Sequence, residues 1–428
     1  MFIEVCLLSL GVFASSELYK KIGSFYGEYA EKSHNRNQQK KKEPLMRSRA
    51  VTSSAISKNT EVRSASESLT PQEKSKPRED PKSVQKLRVR TMSECEYFGM
   101  SISASGNTVA IDSHELSTNQ FDVVYIMTRD DTFCWHPQAK LSIPKINFFD
   151  SVSLSSDTLA VGAADVYIFV RSGTSWSQQA KLSIPDADWL DSVSLSGNTL
   201  AVSTRYDGSS DDSSVDATVV HIFVRSGTSW SQQAKLSIPD TSLLDGVSLS
   251  GETLAVGTSS RDAVHIFVRS GTSWSQQAKL SIPDTTSLDS ISLSGETLAV
   301  GTSSRDAVHI FVRSGSSWSQ QAKLNIPPGT DRLDSVSLSG NTLAVSARYN
   351  DSPDDTNVVH IFARSGTSWK QQTKLANSHR SAAVSGQAVF TAYKGYKTGT
   401  ELYIYSENVC IQKNALSAIT LQFPEPSQ

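Results

Sequence analysis

Residues 190–202 read LDSVSLSGNTLAV, and the same phrase returns at Leu244, Leu288 and Leu333, with a near copy at Phe149. Diverged copies open at Phe98 and near His379, which makes seven starts at a mean spacing of about 47 residues. Each unit runs on into VHIFVR or a variant, then SGTSW, then SQQAKLSI. A unit of this size cannot bury its apolar face alone, so neighbouring copies must stack.

Every segment of the unit reads as strand. Gly197-Asn198 sits between two short alternating runs, a two-residue hairpin signal that recurs at Gly106, Gly251, Gly295, Gly340 and Gly386. The run 219–225 (VVHIFVR) is β-branched and aromatic, and the turn residues Ser-Gly-Thr-Ser follow it. Alternation in 230–238 places Trp230, Gln232, Ala234, Leu236 and Ile238 on one side and Ser231, Gln233, Lys235 and Ser237 on the other. Four antiparallel strands per unit and seven units specify an all-β chain, a seven-bladed β-propeller over residues 84–428. Ser192, Ser194 and Ser196 suit the narrow centre of such a ring. The orphan strand VQKLRVR (84–90) is the favoured outer strand of the last blade, with residues 409–412 competing for that place.

Composition fits a repeat carrying a tail. The chain has 428 residues, 38 % hydrophobic, and a formal charge of −2. That neutral total hides a basic segment, +5 over residues 1–85, and an acidic remainder of −7. The balance speaks against a nucleic-acid binder. Residues 17–83 form a polar, basic linker, nearly free of aromatics in 31–83, and are expected to be disordered. Residues 1–16 contain an apolar run, 5–14, followed by small residues. This fits a cleaved signal peptide, giving a secreted or cell-surface protein, although Glu4 weakens the basic end such a peptide needs. The alternative is a short membrane anchor with the propeller cytosolic, but the run is shorter than the ~20 apolar residues that span a bilayer. Cys6, Cys95, Cys134 and Cys410 show no zinc spacing and read as inert thiols, although closure of the ring brings the chain ends near Cys95 and Cys410 together.

The phrase Phe98-Gly99-x-Ser, the SG(N/D)T(L/V)AV run, Gly162-Ala163-Ala164, the following VYIF strand and RSGTSW-x-QQAKL resemble the FG-GAP repeat family, to which the propeller of integrin α subunits belongs. The resemblance covers roughly residues 86–412, and it departs at the naming motif, where Leu-Asp or Phe-Asp replaces Phe-Gly in the other copies. It implies a propeller that binds a protein or glycan ligand, and calcium loops of the form Asp-x-Asp-x-Asp-Gly.

Two insertions between second and third strands carry the candidate ligand-binding residues: Asp207, Asp211 and Asp212 in one, Asp351, Asp354 and Asp355 in the other. Neither has the alternating spacing, so the expectation is a solvated acidic loop without a cofactor, calcium being the alternative. His221, His265, His309 and His360 recur at one position, where other units have Tyr125, Tyr167 and Tyr403; this favours packing over a metal ring. The recurrent Arg171, Arg225, Arg269, Arg313 and Arg364 are expected on a solvated or ion-paired rim. No nucleophile elbow, zinc helix or phosphate loop is present. Residues 248–280 and 292–324 differ only at Thr272 against Ser316, a duplication that a scaffold tolerates better than a catalytic centre does. The expected function is therefore a non-enzymatic binding or adhesion module; the alternatives are a carbohydrate-active propeller with carboxylates from different blades, or a membrane-tethered cytosolic scaffold.

Overall fold

The computed structural model describes residues 83–89, 96–115, 121–144, 151–185, 187, 189–205, 218–238, 244–258, 263–282, 288–302, 307–326, 330–349, 357–378, 381–395, 399–406 and 419–421. The expectations for residues 1–16 and nearly all of 17–83 lie outside them. Six blades are four-stranded antiparallel sheets in sequence order, at 96–144, 151–182, 189–237, 244–281, 288–325 and 330–378, which we number 1 to 6. Blade 7 takes three strands from 382–406 and a fourth from the other end of the chain. The seven sheets form the ring of a β-propeller.

Closure follows the repeat register. The strand Ser83–Val89 runs antiparallel to Gly399–Ser406 and sets Lys86 opposite Tyr403. Lys181 lies opposite Tyr167 and Lys235 opposite His221 in the same way. The N-terminal strand thus occupies the outer place in blade 7, and Ile419–Leu421 adds a fifth, parallel strand beyond it. The competing segment 409–412 lies outside the described residues.

Each blade exposes the N–H edge of its innermost strand to the preceding blade, and an unpaired edge is costly when buried. Serine answers this need. Ser101 and Ser103 accept the N–H of Val152 and Leu154 at 3.0 and 2.9 Å. Ser153 accepts from Leu195, Ser194 from Leu249, Ser248 from Leu293, Ser292 from Leu338 and Ser337 from Val384. The serines expected to fit a narrow centre therefore act as hydrogen-bond acceptors between blades. Above this ladder, apolar side chains from adjacent blades fill each seam: Val124 and Ile126 of blade 1 pack with Leu154, Leu159 and Val161 of blade 2. Full burial of each contributes roughly 1.5–3 kcal/mol.

The outer strands depart from strict alternation. Ile222 pairs with Ala234 but Phe223 pairs with Gln232, so Gln233 is a bulged extra residue. Bulges re-aim side chains. Here the turned-out glutamine meets the next blade, where Trp274 donates its indole N–H to Gln233 at 3.2 Å, as Trp176 does to Gln138 and Trp230 to Gln179. Arg171 pairs with Asp157, as an ion-paired rim requires, while the other four arginines differ from expectation. Arg225, Arg269, Arg313 and Arg364 each donate to the threonine hydroxyl of the preceding blade, at 3.0 to 3.2 Å, so they tie blades together instead of standing free on a rim.

Candidate functional site

Antiparallel order places two kinds of connection on the two faces of the ring. One face carries the tight turns, first to second strand and third to fourth. Gly197 and Gly227 take φ of 57° and 62° there, a conformation glycine adopts without strain. The other face carries the connections from second to third strand, which vary in length, and it is there that sequence variation concentrates.

Both acidic insertions open on this second face. Arg205 pairs with Thr218 at the foot of one, and Arg348 pairs with Asn357 at the foot of the other. Asp207, Asp211, Asp212, Asp351, Asp354 and Asp355 themselves lie outside the described residues.

The foot of the blade 6 insertion is a built network. Asp334, at the start of the inner strand, is nearly fully buried and faces the Arg348 guanidinium at 3.3 Å. Asn357 donates to its other oxygen at 2.9 Å. Tyr349 Oη meets His360 Nε2 at 2.8 Å just below. Arg332, well exposed, reaches back to Asp289 of blade 5 at 3.7 Å. Two carboxylates, two guanidinium groups and an amide thus hold the base of this loop in a fixed frame.

Blade 1 permutes the same positions. Asp122 stands where blade 6 has Asn357, and His114 where it has Arg348, and the two pair at 2.7 Å. Beside them Asp112 replaces the Gly or Ser of blades 2 to 6 and the Ala392 of blade 7. Its carboxyl accepts the N–H of Ser101 at 2.9 Å, and burial raises its pKa to about 7 against the pull of further backbone bonds from Met100 and Gly99. Composition and repeat pattern gave no sign of this cluster; the signal was available in Asp112 and His114, two substitutions in one copy. Asp112 is a carboxylate without a repeat equivalent, and Asp122 has counterparts only in Asp262 and Asp306; Asp112 and Asp122 are 3 % and 1 % exposed and belong to one blade. A pair serving glycoside chemistry has to reach its substrate from both sides of the scissile bond. These two face the blade interior.

The histidines are buried as well. His221, His265, His309 and His360 are 1–4 % exposed, and desolvation lowers the pKa of each, that of His360 to about 4. Each sits in a separate blade in register with a lysine that further disfavours its charge, which agrees with packing and with no shared ligand role.

On the tight-turn face, blade 1 again diverges. Its hairpin reads Asp130-Asp131-Thr132-Phe133-Cys134, one residue longer than the Ser-Gly-Thr-Ser turns. Phe133 adopts φ of 62°, stands 42 % exposed and lies under the Arg129 guanidinium at 5.2 Å. Asp130, Cys134 and His136 come close enough to suggest a metal site. The chemistry does not support one. Cys134 is disulfide-bonded, and Asp130 Oδ1 already accepts from the Thr132 hydroxyl and from the Thr132 and Cys134 N–H groups, while Oδ2 meets His136. These bonds, the Thr132 hydroxyl foremost, hold the Asp130 carboxyl far below the usual range. The disulfide replaces the inert thiol expected at Cys134, and its partner is Cys6, Cys95 or Cys410, all outside the described residues.

No protein-family model matches the chain, and no curated protein matches its sequence.

Proposed function

We propose that the chain is a non-enzymatic binding module that holds a protein or glycan ligand with the long loops of one propeller face, above all the acidic insertions of blades 3 and 6. The observation that carries this reading is where the recurrent polar residues go. Apart from Trp369 and Gln321, the serines, arginines, tryptophans and bulged glutamines that repeat from blade to blade are engaged between blades, which leaves the non-repeating loops as the variable chemistry. The acidic loops favour a partner that brings cationic or hydroxyl groups, with or without a bridging calcium. Kinship with the FG-GAP propellers of integrin α subunits rests on the Phe98-Gly99 and RSGTSW-QQAKL motifs and belongs to this proposal. So does a secreted or cell-surface location, which the Cys134 disulfide supports, since such bonds persist in oxidising compartments.

A glycan and surface-protein array, probed with and without calcium, tests the reading. Binding that disappears when Asp207, Asp211 and Asp212, or Asp351, Asp354 and Asp355, are replaced by asparagine is the expected result. Binding untouched by both triple variants, or glycoside hydrolysis in place of binding, would overturn it.

A further inference from the structure

We propose that Asp112, whose side chain shares the blade 2 face with Val124, is a proton-sensitive clasp that fixes the Gly99–Ser101 turn packed into the seam between blade 7 and blade 1, the seam at which the ring closes. That seam lacks the serine ladder that the six others share. The serine that accepts a neighbouring N–H as Ser103 and Ser337 do is Ala383 in blade 7. The threonine that receives an arginine is Ala388, and the strand Ser83–Val89 has no bulge, so the glutamine that receives a tryptophan has no counterpart there. Among the described residues, Ser385 to the Gly106 carbonyl at 3.3 Å is the hydrogen bond found there in place of the ladder.

Shape holds this seam. Phe390 takes a place that is alanine in the six other blades, and Trp135 packs its edge on it at 4.9 Å. Gly99 lies so near Ala392 that any added Cβ would stand 2.2 Å from the alanine's own. The backbone from Gly99 to Ser101 must therefore be held in one place, and the carboxyl of Asp112 does so through the N–H groups of all three residues. Met100, 38 % exposed, puts this turn at the surface, where protons have access.

Few charges face Asp112. Asp122 on the third strand raises its pKa, and His114 on its own strand is paired to Asp122. Lys140 on the outer strand lies over the Tyr125 ring. The inner strand of blade 2, Ser151–Ser155, carries no charge, and the second strand of blade 7 brings Phe390 and Ala392. The sign follows. A carboxyl near 7 while it holds this turn and near 3.8 once the turn is released binds its proton more tightly in the held state. Rising pH through this window therefore favours opening, by about tenfold between pH 6 and pH 8.

Hydrogen exchange followed by mass spectrometry on the full chain, corrected for intrinsic rates, tests this. Peptides from 98–115 and 388–395 are expected to lose about tenfold protection from pH 6 to pH 8, while those of the blade 3 to blade 4 seam hold theirs. Asp112→Asn should abolish that difference. Uniform loosening of all seams, no change at the closing seam, or the same pH dependence in Asp112→Asn would each overturn the proposal. Should Asp112→Asn not fold, Asp112→Ser, the residue found at positions 203 and 346, takes its place.

Discussion

Trp230 donates its indole N–H to Oε1 of Gln179 in the preceding blade, at 3.1 Å, and Gln179 reaches it because a bulge has turned that residue out of its own strand. The bond therefore couples an irregularity in one blade to an aromatic anchor in the next. Replacing Gln179 by leucine leaves a half-buried N–H without its acceptor and is expected to cost about 1–2 kcal/mol. Trp230→Phe should cost a comparable amount. In a double-mutant cycle read by chemical denaturation, the two losses should be clearly less than additive; strict additivity would mean that the bond contributes nothing to the seam.

The serine ladder makes a second, sharper prediction. Ser153→Ala removes the acceptor for the Leu195 N–H, bonded at 2.9 Å in a seam that excludes water. An orphaned buried donor costs about 1–3 kcal/mol. Ser155→Ala, next to an exposed turn where water can reach the Gly197 N–H, should cost well under that. Unfolding midpoints of the two variants, measured side by side, check the difference. Equal losses would show that the ladder matters only through side-chain volume.

How much of this was legible in the sequence depended on repetition. Period, turn glycines and strand-forming runs all recur, so seven four-stranded blades followed from residues such as Gly197-Asn198 and Val219–Arg225 before any coordinates. The place of VQKLRVR in blade 7 was legible for the same reason, as a fourth strand without its first three. The bulge at Gln233 was not: a run of Ser, Gln and Lys reads as simple alternation, and only the partner Trp274 in the next blade shows why one glutamine is turned out. The arginines misled because their acceptors, Thr158 and its equivalents, lie about 65 residues earlier, a separation no local pattern reveals. Asp112 and His114 escaped notice because they are departures from the repeat, while Asp122 shares its place with Asp262 and Asp306 and so did not stand out. The acidic insertions were legible as candidates, and their feet at Arg205–Thr218 and Arg348–Asn357 are now placed.

Gly99 carries the one Phe-Gly pair of the chain, and two constraints meet at it. Its φ of 74° is unfavourable for other residues, and a Cβ would overlap that of Ala392 at 2.2 Å. Gly99→Ala is expected to destabilise the fold by more than about 3 kcal/mol, since backbone strain and overpacking act together. Adding Ala392→Gly should relieve the clash and leave the strain, so the double variant should regain roughly half of the loss. Thermal unfolding of wild type, both single variants and the double variant gives the comparison. A double variant no more stable than Gly99→Ala would locate the whole cost in the backbone.

Four buried histidines give the propeller an acid limit. In the unfolded chain each has its ordinary pKa near 6.5, while in the fold desolvation lowers it, to about 4 for His360. Between those values the unfolded state binds more protons, so the stabilisation is complete above pH 6.5 and is lost as pH falls toward 4. For His360 alone the loss is about 3 kcal/mol, and His221, His265 and His309 add to it in the same direction. Blades 1 and 2 show that tyrosine fits this position, with Tyr125 and Tyr167 both buried. Replacing all four histidines by tyrosine should flatten the decline in unfolding free energy between pH 6.5 and pH 4 relative to wild type. Asp112 works in the opposite sense, its contribution falling as pH rises toward 7, so it offsets part of the histidine term over the same pH window. An acid limb of unchanged slope in the tyrosine variant would assign it to the carboxylates instead.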